Sequence, residues 1–312
     1  MAKLIMTVAE MQDREKWLEL RKTGICGSEI AAVVGMNPFK SAFQLWLEKT
    51  SQVEPEDLSN NEYIYWGNVL EQAVADRFCE LTGKKVTKRG VLQDCKYPFM
   101  LASVDRMIVG ENAGLECKTA NAFAHKGWKD DEIPDSYYIQ CQWYMSVTGC
   151  EKWYIAVLIG GNRFIWKEIS RNEDDIAALR EAAIGFRYKV ENNIMPDVDG
   201  SENCSEALAK KLSVQADAVE LPGEAQQELE KIAELGETIG VLLKQQEQEK
   251  NKLKKRLVEY KAEVGIVGDR KVSWKEQAGR ITVDKDRLQA ELPDVYEKYK
   301  KVGKPSRSFR IA

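Results

Sequence analysis

Asp105, Glu116 and Lys118 are the residues whose types and spacing could do chemistry together in this 312-residue chain. Glu116 and Lys118 stand two apart in Leu115–Thr119, a segment that reads as a strand, and strand alternation puts both on one face. The preceding stretch, Met100–Val109, also reads as a strand, and Gly110 to Gly114 reads as the turn of a hairpin between the two. Two carboxylates on adjacent strands can converge on one hard cation. Mg²⁺ suits them, because it takes oxygen ligands and usually keeps several waters. The backbone carbonyl of Cys117 offers a further oxygen. Lys118 beside such a cation could deprotonate or orient a water, or offset charge developing on a phosphate. The spacing alone is a weak signal, since charged residues two apart on a strand ordinarily mark a solvated face.

Three further residues strengthen it. Glu71 falls on the apolar stripe Leu70, Val74, Phe78 and Leu81 of an expected helix, and a carboxylate facing a core needs a cation or hydrogen bonds. Gln140 lies amid Tyr137, Cys141 and Tyr144 on one face of a second helix. There it could ligate or orient a water, or simply bond a neighbouring helix. Ser103 shares the strand face of Asp105, where a hydroxyl can meet a phosphate oxygen or be a small packed residue.

The elements that must position these groups alternate between helix and strand up to about Pro196. Helices are expected over Asp13–Arg21, Glu29–Val34 with Ser28 as N-cap, a segment capped by Ser41, and Gly67–Leu81 ended by Gly83. Pro134 opens another that ends at Gly149. Trp153–Ile159 and Arg163–Ile169 form a second hairpin, and a last helix spans Glu173–Asn192. The expected class is α/β, a mixed sheet flanked by helices. Residues 1–198 form the expected catalytic domain, 199–223 a polar linker, and 224–312 a helical or coiled-coil C-terminal appendage. The appendage carries Leu229, Ile232, Leu235, Ile239 and Leu242 at a spacing near 3.5 residues. Short strands are expected near Lys271–Lys275 and Gly279–Val283.

Composition excludes several classes. With 44% apolar and 31% charged residues the chain reads as globular rather than disordered. No apolar run reaches a membrane span of roughly 18 residues, and no signal pattern opens the chain, so the expected location is cytoplasmic with no membrane contact. Seven cysteines without a CxxC pair are read as reduced. A single histidine, His125, excludes a histidine-based zinc site. A net charge of −4 argues against a wholly basic surface but allows a local basic groove.

Trp17-x3-Arg21-x2-Gly24-Ile-Cys-Gly-Ser28-Glu29, Trp66-Gly67-Asn68-x2-Glu71, Ala102-Ser103-Val104-Asp105, Gly114-Leu-Glu116-Cys-Lys118 and Ile133-Pro-x2-Tyr137-Tyr-Ile-Gln140 stand in a shared order and spacing. Together they resemble the YqaJ-type viral recombinase family, related to lambda exonuclease and part of the PD-(D/E)XK nuclease superfamily. The resemblance covers roughly Trp17 to Met195. It implies a PD-(D/E)XK core in which Asp105 and Glu116 bind Mg²⁺ (with Mn²⁺ able to substitute), Lys118 is the catalytic lysine, and Glu71 and Gln140 complete the site. Glu71 is a candidate ligand of a second ion. It also implies that Arg21, Ser28 and Ser103, with Tyr137 nearby, hold DNA and its terminal 5′-phosphate. A guanidinium fork and a hydroxyl at a helix N-terminus suit that task.

The implied activity is Mg²⁺-dependent 5′→3′ digestion of one strand of duplex DNA from an end. The 3′ single-stranded tails would feed phage-type recombination in a bacterial host. The implied partners are duplex DNA ends, further copies of the chain in a ring (a trimer is one possibility), and a single-strand annealing protein of RecT or Bet type. The alternatives are an endonuclease of the same fold and a catalytically idle DNA-end-binding protein. Lys126 and Trp128, in the polar stretch after Lys118, are a candidate DNA-contacting loop through charge and stacking.

Overall fold

The computed structural model describes residues 2–55, 57–58, 60–129, 132–212, 218–303 and 307–311, without the side chains of His125 and Lys126. The chain divides into two compact units, 1–213 and 214–312.

The first unit opens with strand β1 (Lys3–Met6) and helices α1 (Arg14–Lys22), α2 (Gly27–Val33), α3 (Ala42–Lys49) and α4 (Glu62–Thr82). Asp13, Ser41 and Asn61 cap α1, α3 and α4 through side-chain oxygens, and Gly83 ends α4 at φ 70°, a conformation only glycine adopts freely. Ser28 is not a cap. Helix α2 starts two residues earlier than expected, because Glu29 at its third position reaches back to the Cys26 N–H at 2.9 Å and closes a capping box.

Strands β2 (Val86–Lys88), β3 (Val91–Gln93), β4 (Leu101–Ser103), β5 (Arg106–Ile108) and β6 (Ala113–Ala120) follow. A 3₁₀ helix, Ala122–Trp128, leads to α5 (Asp135–Thr148), then strands β7 (Lys152–Ile159) and β8 (Arg163–Ser170) and helices α6 (Glu173–Glu191) and α7 (Glu202–Lys211).

A five-stranded mixed sheet runs β2-β5-β6-β7-β8, and a three-stranded antiparallel sheet runs β1-β3-β4. Among the described strands of the large sheet, β6 and β7 pair in parallel, which requires a crossover; the 3₁₀ helix and α5 provide it. The single strand expected over Met100–Val109 is two strands. The chain leaves the small sheet after Ser103 and enters the large one at Arg106, so Val104 and Asp105 form the junction.

Strand alternation divides the core. Leu115 packs with Val74, Phe78, Tyr154 and Ala156 on the α4 face. Ile155 and Val157, paired with Glu116 and Lys118, join the larger cluster with Trp143 and Tyr144 of α5. The α4 stripe is therefore narrower than its sequence suggests: Val74 and Phe78 are buried, while Leu81 is half exposed.

The expected linker 199–223 contains α7, a helix capped by Ser201 with Cys204 and Ala207 buried, so the first unit extends beyond residue 198. The second unit holds α8 (Ala225–Glu259), a hairpin of β9 (Val264–Val267) and β10 (Arg270–Ser273), and the short helices α9 (Lys285–Glu291) and α10 (Pro293–Tyr299). The hairpin precedes the expected strand positions because Gly268, at φ 61°, supplies the turn. Among the described residues, no helix is long and apolar enough to cross a membrane.

Candidate active site

Antiparallel pairing of β5 with β6 sets Arg106 against Leu115 and Met107 against Gly114. One step further along the same register, Asp105 faces Glu116. The Cys117 N–H donates to Asp105 Oδ2 at 2.8 Å and fixes the carboxylate at the junction between the sheets. The Cys117 side chain turns to the opposite face. Lys118 Nζ lies 2.6 Å from Glu116 Oε1 and donates to Gln140 Oε1 at 3.1 Å. Gln140 Nε2 donates to Glu116 Oε1 at 2.7 Å and to the Tyr144 hydroxyl at 2.7 Å. The Tyr137 ring covers the ammonium at 4.9 Å. Asp105, Glu116, Lys118, Gln140 and Tyr137 thus come together.

Small residues permit this packing. Gly114 is filled from above by the Trp153 ring, which would lie 2.2 Å from an added Cβ, and Trp153 in turn stacks on Tyr144 at 5.2 Å. An added Cβ at Gly27 would fall 2.3 Å from the same Tyr144 ring. Gly27→Ala is expected to destabilise the first unit by about 1–3 kcal/mol through overpacking, read as a lower midpoint in urea unfolding.

The acidic pair is short of positive charge. Glu116 is buried, and its Oε2 has no hydrogen-bond partner. Burial first, then the Glu116 carboxylate, push Asp105 well above the ordinary carboxylate range. Burial would lower Lys118, but Glu116 and Asp105 outweigh it and hold the amine cationic. An orphan buried carboxylate oxygen beside a second carboxylate fits a divalent cation with a preference for oxygen.

Glu71 approaches this centre in a way the sequence did not disclose. Its Oε1 accepts from Arg106 Nη1 at 2.5 Å, and the same guanidinium donates to the Asp105 carbonyl at 2.8 Å and to Gln72 Oε1 at 3.1 Å. Arg106 is 3% exposed.

Of the candidate phosphate residues, Arg21 and Ser28 come together. Arg21 Nη2 donates to Ser28 Oγ at 3.3 Å and to Glu29 Oε1 at 2.9 Å, and its guanidinium lies over Trp17 at 4.7 Å. Lys49 Nζ reaches Glu29 Oε2 at 2.9 Å and the Arg21 carbonyl at 2.6 Å. Two cations on one carboxylate leave a net charge of +1. The Ile25 N–H donates to the Phe99 carbonyl and the Leu101 N–H to the Ile25 carbonyl, which stitches this loop to the strand ending at Ser103. Ser103 is half-buried at that end.

Trp128 does not offer a stacking surface. It is 2% exposed and packs against Tyr137 at 5.8 Å, because the segment folds as a 3₁₀ helix capped by Asn121 rather than as an open loop. The exposed aromatic there is Phe123. The Lys126 side chain lies outside the described residues. Lys49 and Arg106 escaped the sequence reading, and Glu29 entered it only as the end of a motif, without a role. Only the capping-box spacing of Glu29 was a usable signal, while the other two depend on contacts distant in the chain.

Residues 16–151 match the YqaJ-like viral recombinase domain. The chain is also 40% identical over 306 residues to YqaJ of Bacillus subtilis (strain 168), a protein described as uncharacterized. That match covers 96% of this chain and 94% of the relative. The chain belongs to the YqaJ-like viral recombinase family. Its fold is similar to that of an alkaline exonuclease from Laribacter hongkongensis, with TM-score 0.50 at 22% identity over 63% of this chain and 98% of that one. The same exonuclease solved with dAMP gives TM-score 0.50 at 23% identity, over 58% and 94% of the two chains. The first unit accordingly shares the fold of that exonuclease, a central mixed sheet flanked by helices.

Proposed function

We propose that this YqaJ-like protein is a Mg²⁺-dependent DNA exonuclease that digests one strand of duplex DNA 5′→3′ from an end. The observation that carries this reading is the juxtaposition of Asp105, Glu116, Lys118 and Gln140 around an unpartnered carboxylate oxygen. Family membership and a fold shared with an alkaline exonuclease support it.

Asp105 and Glu116 would hold the ion, with the Cys117 carbonyl beside them. Bound there, Mg²⁺ supplies Lewis acidity toward a phosphoryl oxygen and lowers the pKa of water. Lys118, cationic and covered by Tyr137, offers an N–H donor to the phosphoryl oxygens as charge builds on them. Gln140 fixes the Glu116 carboxylate and the Lys118 amine through its two ends. Tyr144 and Trp153 close the floor beneath them against water. Hydrolysis breaks the bond from phosphorus to the 3′ oxygen of the neighbouring nucleotide, and that oxygen leaves with a proton from solvent.

Arg21, Ser28 and Ser103 would bind the phosphate of the 5′ end; the net positive group around Arg21 and Ser28 is joined by backbone bonds at Ile25 to the strand that ends at Ser103. Arg21→Ala is expected to remove the preference for 5′-phosphoryl over 5′-hydroxyl ends, with the rate on 5′-hydroxyl ends nearly unchanged. Digestion of linear duplexes carrying 5′-phosphate, 5′-hydroxyl or recessed 5′ ends, in Mg²⁺ and in chelator, tests the reading. An equal loss on phosphoryl and hydroxyl ends would place Arg21 elsewhere in the mechanism.

We further propose, on the resemblance noted in the sequence, a ring-like homo-oligomer, of which a trimer is one form. Its partner would be a single-strand annealing protein of RecT or Bet type that receives the 3′ tails in the cytoplasm of a bacterial host.

A further inference from the structure

Arg106 is a cation built into the wall of the site. Its guanidinium is almost fully buried, yet arginine stays protonated throughout the accessible pH range. A buried fixed charge requires a fixed counter-charge. Glu71 supplies it at 2.5 Å, from a side chain that is itself 30% exposed. Two further N–H groups donate to the Asp105 carbonyl and the Gln72 side chain, so the fork is held at three points. The attachment at the Asp105 carbonyl places this positive group directly behind the first carboxylate of the site.

We infer that Arg106 occupies the role a second metal ion would otherwise fill. Glu71 is a positioning residue neutralised by Arg106 rather than a metal ligand, and the site takes one divalent cation, at Asp105 and Glu116. Two observations support this. Glu71 Oε1 is already engaged by a group that cannot give up its charge. The same guanidinium is anchored to the Asp105 carbonyl, so its charge stands beside the carboxylate that would hold the ion. The inference rests on the proposed metal-dependent reading of the site.

Titration of the full-length protein with Mn²⁺ in the absence of DNA, with free Mn²⁺ followed by electron paramagnetic resonance, tests it. One Mn²⁺ per chain is expected, lost in Asp105→Asn. Glu71→Gln retains the Arg106 hydrogen bond but removes the carboxylate charge. It is expected to keep that single site with a change in affinity below the roughly 10-fold that loss of an orienting or ligating group costs. Arg106→Met frees the Glu71 carboxylate and is expected to add a second, weaker site; the Glu71→Gln titration decides the matter if the methionine variant does not fold. Two sites in the wild-type protein with one lost in Glu71→Gln, or one site lost in Glu71→Gln, would overturn the inference and leave the metal-dependent reading intact. No Mn²⁺ binding, or binding indifferent to Asp105→Asn, would overturn both.

Discussion

Replacing Lys118 by alanine is expected to lower the rate of nucleotide release by about 10²–10⁴, the loss typical of removing a positioned proton-transfer or charge-stabilising group. The expectation rests on where the ammonium sits. It is 2.6 Å from Glu116, 3.1 Å from Gln140 and capped by Tyr137, with a fifth of its side chain exposed. No other lysine or arginine is drawn to Glu116 in this way among the described ion pairs. The fold is expected to survive, because Gln140 Nε2 still donates to the Glu116 carboxylate and holds it in place. A cooperative melt close to that of the wild type, alongside the lost activity, separates a chemical role from unfolding. Digestion near the wild-type rate would remove Lys118 from the mechanism.

Glu29→Ala is expected to be the most destabilising of the single changes considered. Glu29 is 6% exposed, and both oxygens are used: by Arg21, by Lys49 and by the Cys26 N–H that starts α2. Alanine strands the nearly buried Lys49 ammonium and leaves the capping box open. Breaking a buried ion pair by deleting one partner costs about 3–5 kcal/mol, a large share of a stability of about 5–15 kcal/mol.

The same cluster gives a pH signature. Burial would raise Glu29, but the Arg21 and Lys49 charges outweigh it and hold the carboxyl at about 2, below its ordinary 4.5. A group depressed on folding contributes stability that is complete above its unfolded value and lost as pH falls through the folded one. Wild-type stability is therefore expected to fall between about pH 5 and 2 with a component on the order of 3 kcal/mol that the variant lacks. Urea unfolding at pH 7 and at steps down to pH 3 reads both effects. Equal midpoints for the two proteins at pH 7 would contradict the cluster.

How much of this was legible beforehand depended on whether the signal was local. The facing of Glu116 and Lys118 follows from alternation within one strand, and the approach of Gln140 follows from helical spacing along α5. The resemblance to known recombinases supplied Arg21 and Ser28, and the structure does bring those two together.

What could not be read was set by tertiary contact. The break at Val104–Asp105 between two sheets leaves no mark in a segment that reads as one strand. Arg106 looks like an ordinary strand residue until α4 brings Glu71 to it across 35 positions. Trp128 sits in a polar stretch yet is buried, because Tyr137 offers a ring face from the next helix. Helix α7 falls in a segment polar enough to pass for a linker, and only Cys204 and Ala207 anchor it. Along α8 the apolar spacing was plain, and those side chains remain substantially exposed in the second unit.

The most direct test compares a linear duplex bearing 5′-phosphoryl ends with a covalently closed circle of the same sequence, each incubated with the full chain in Mg²⁺ and in chelator. The predicted result is release of mononucleotides from the linear DNA in Mg²⁺ alone, with the circle intact throughout. Cutting of the closed circle, or digestion that persists in chelator, would contradict a metal-dependent exonuclease centred on Asp105, Glu116 and Lys118.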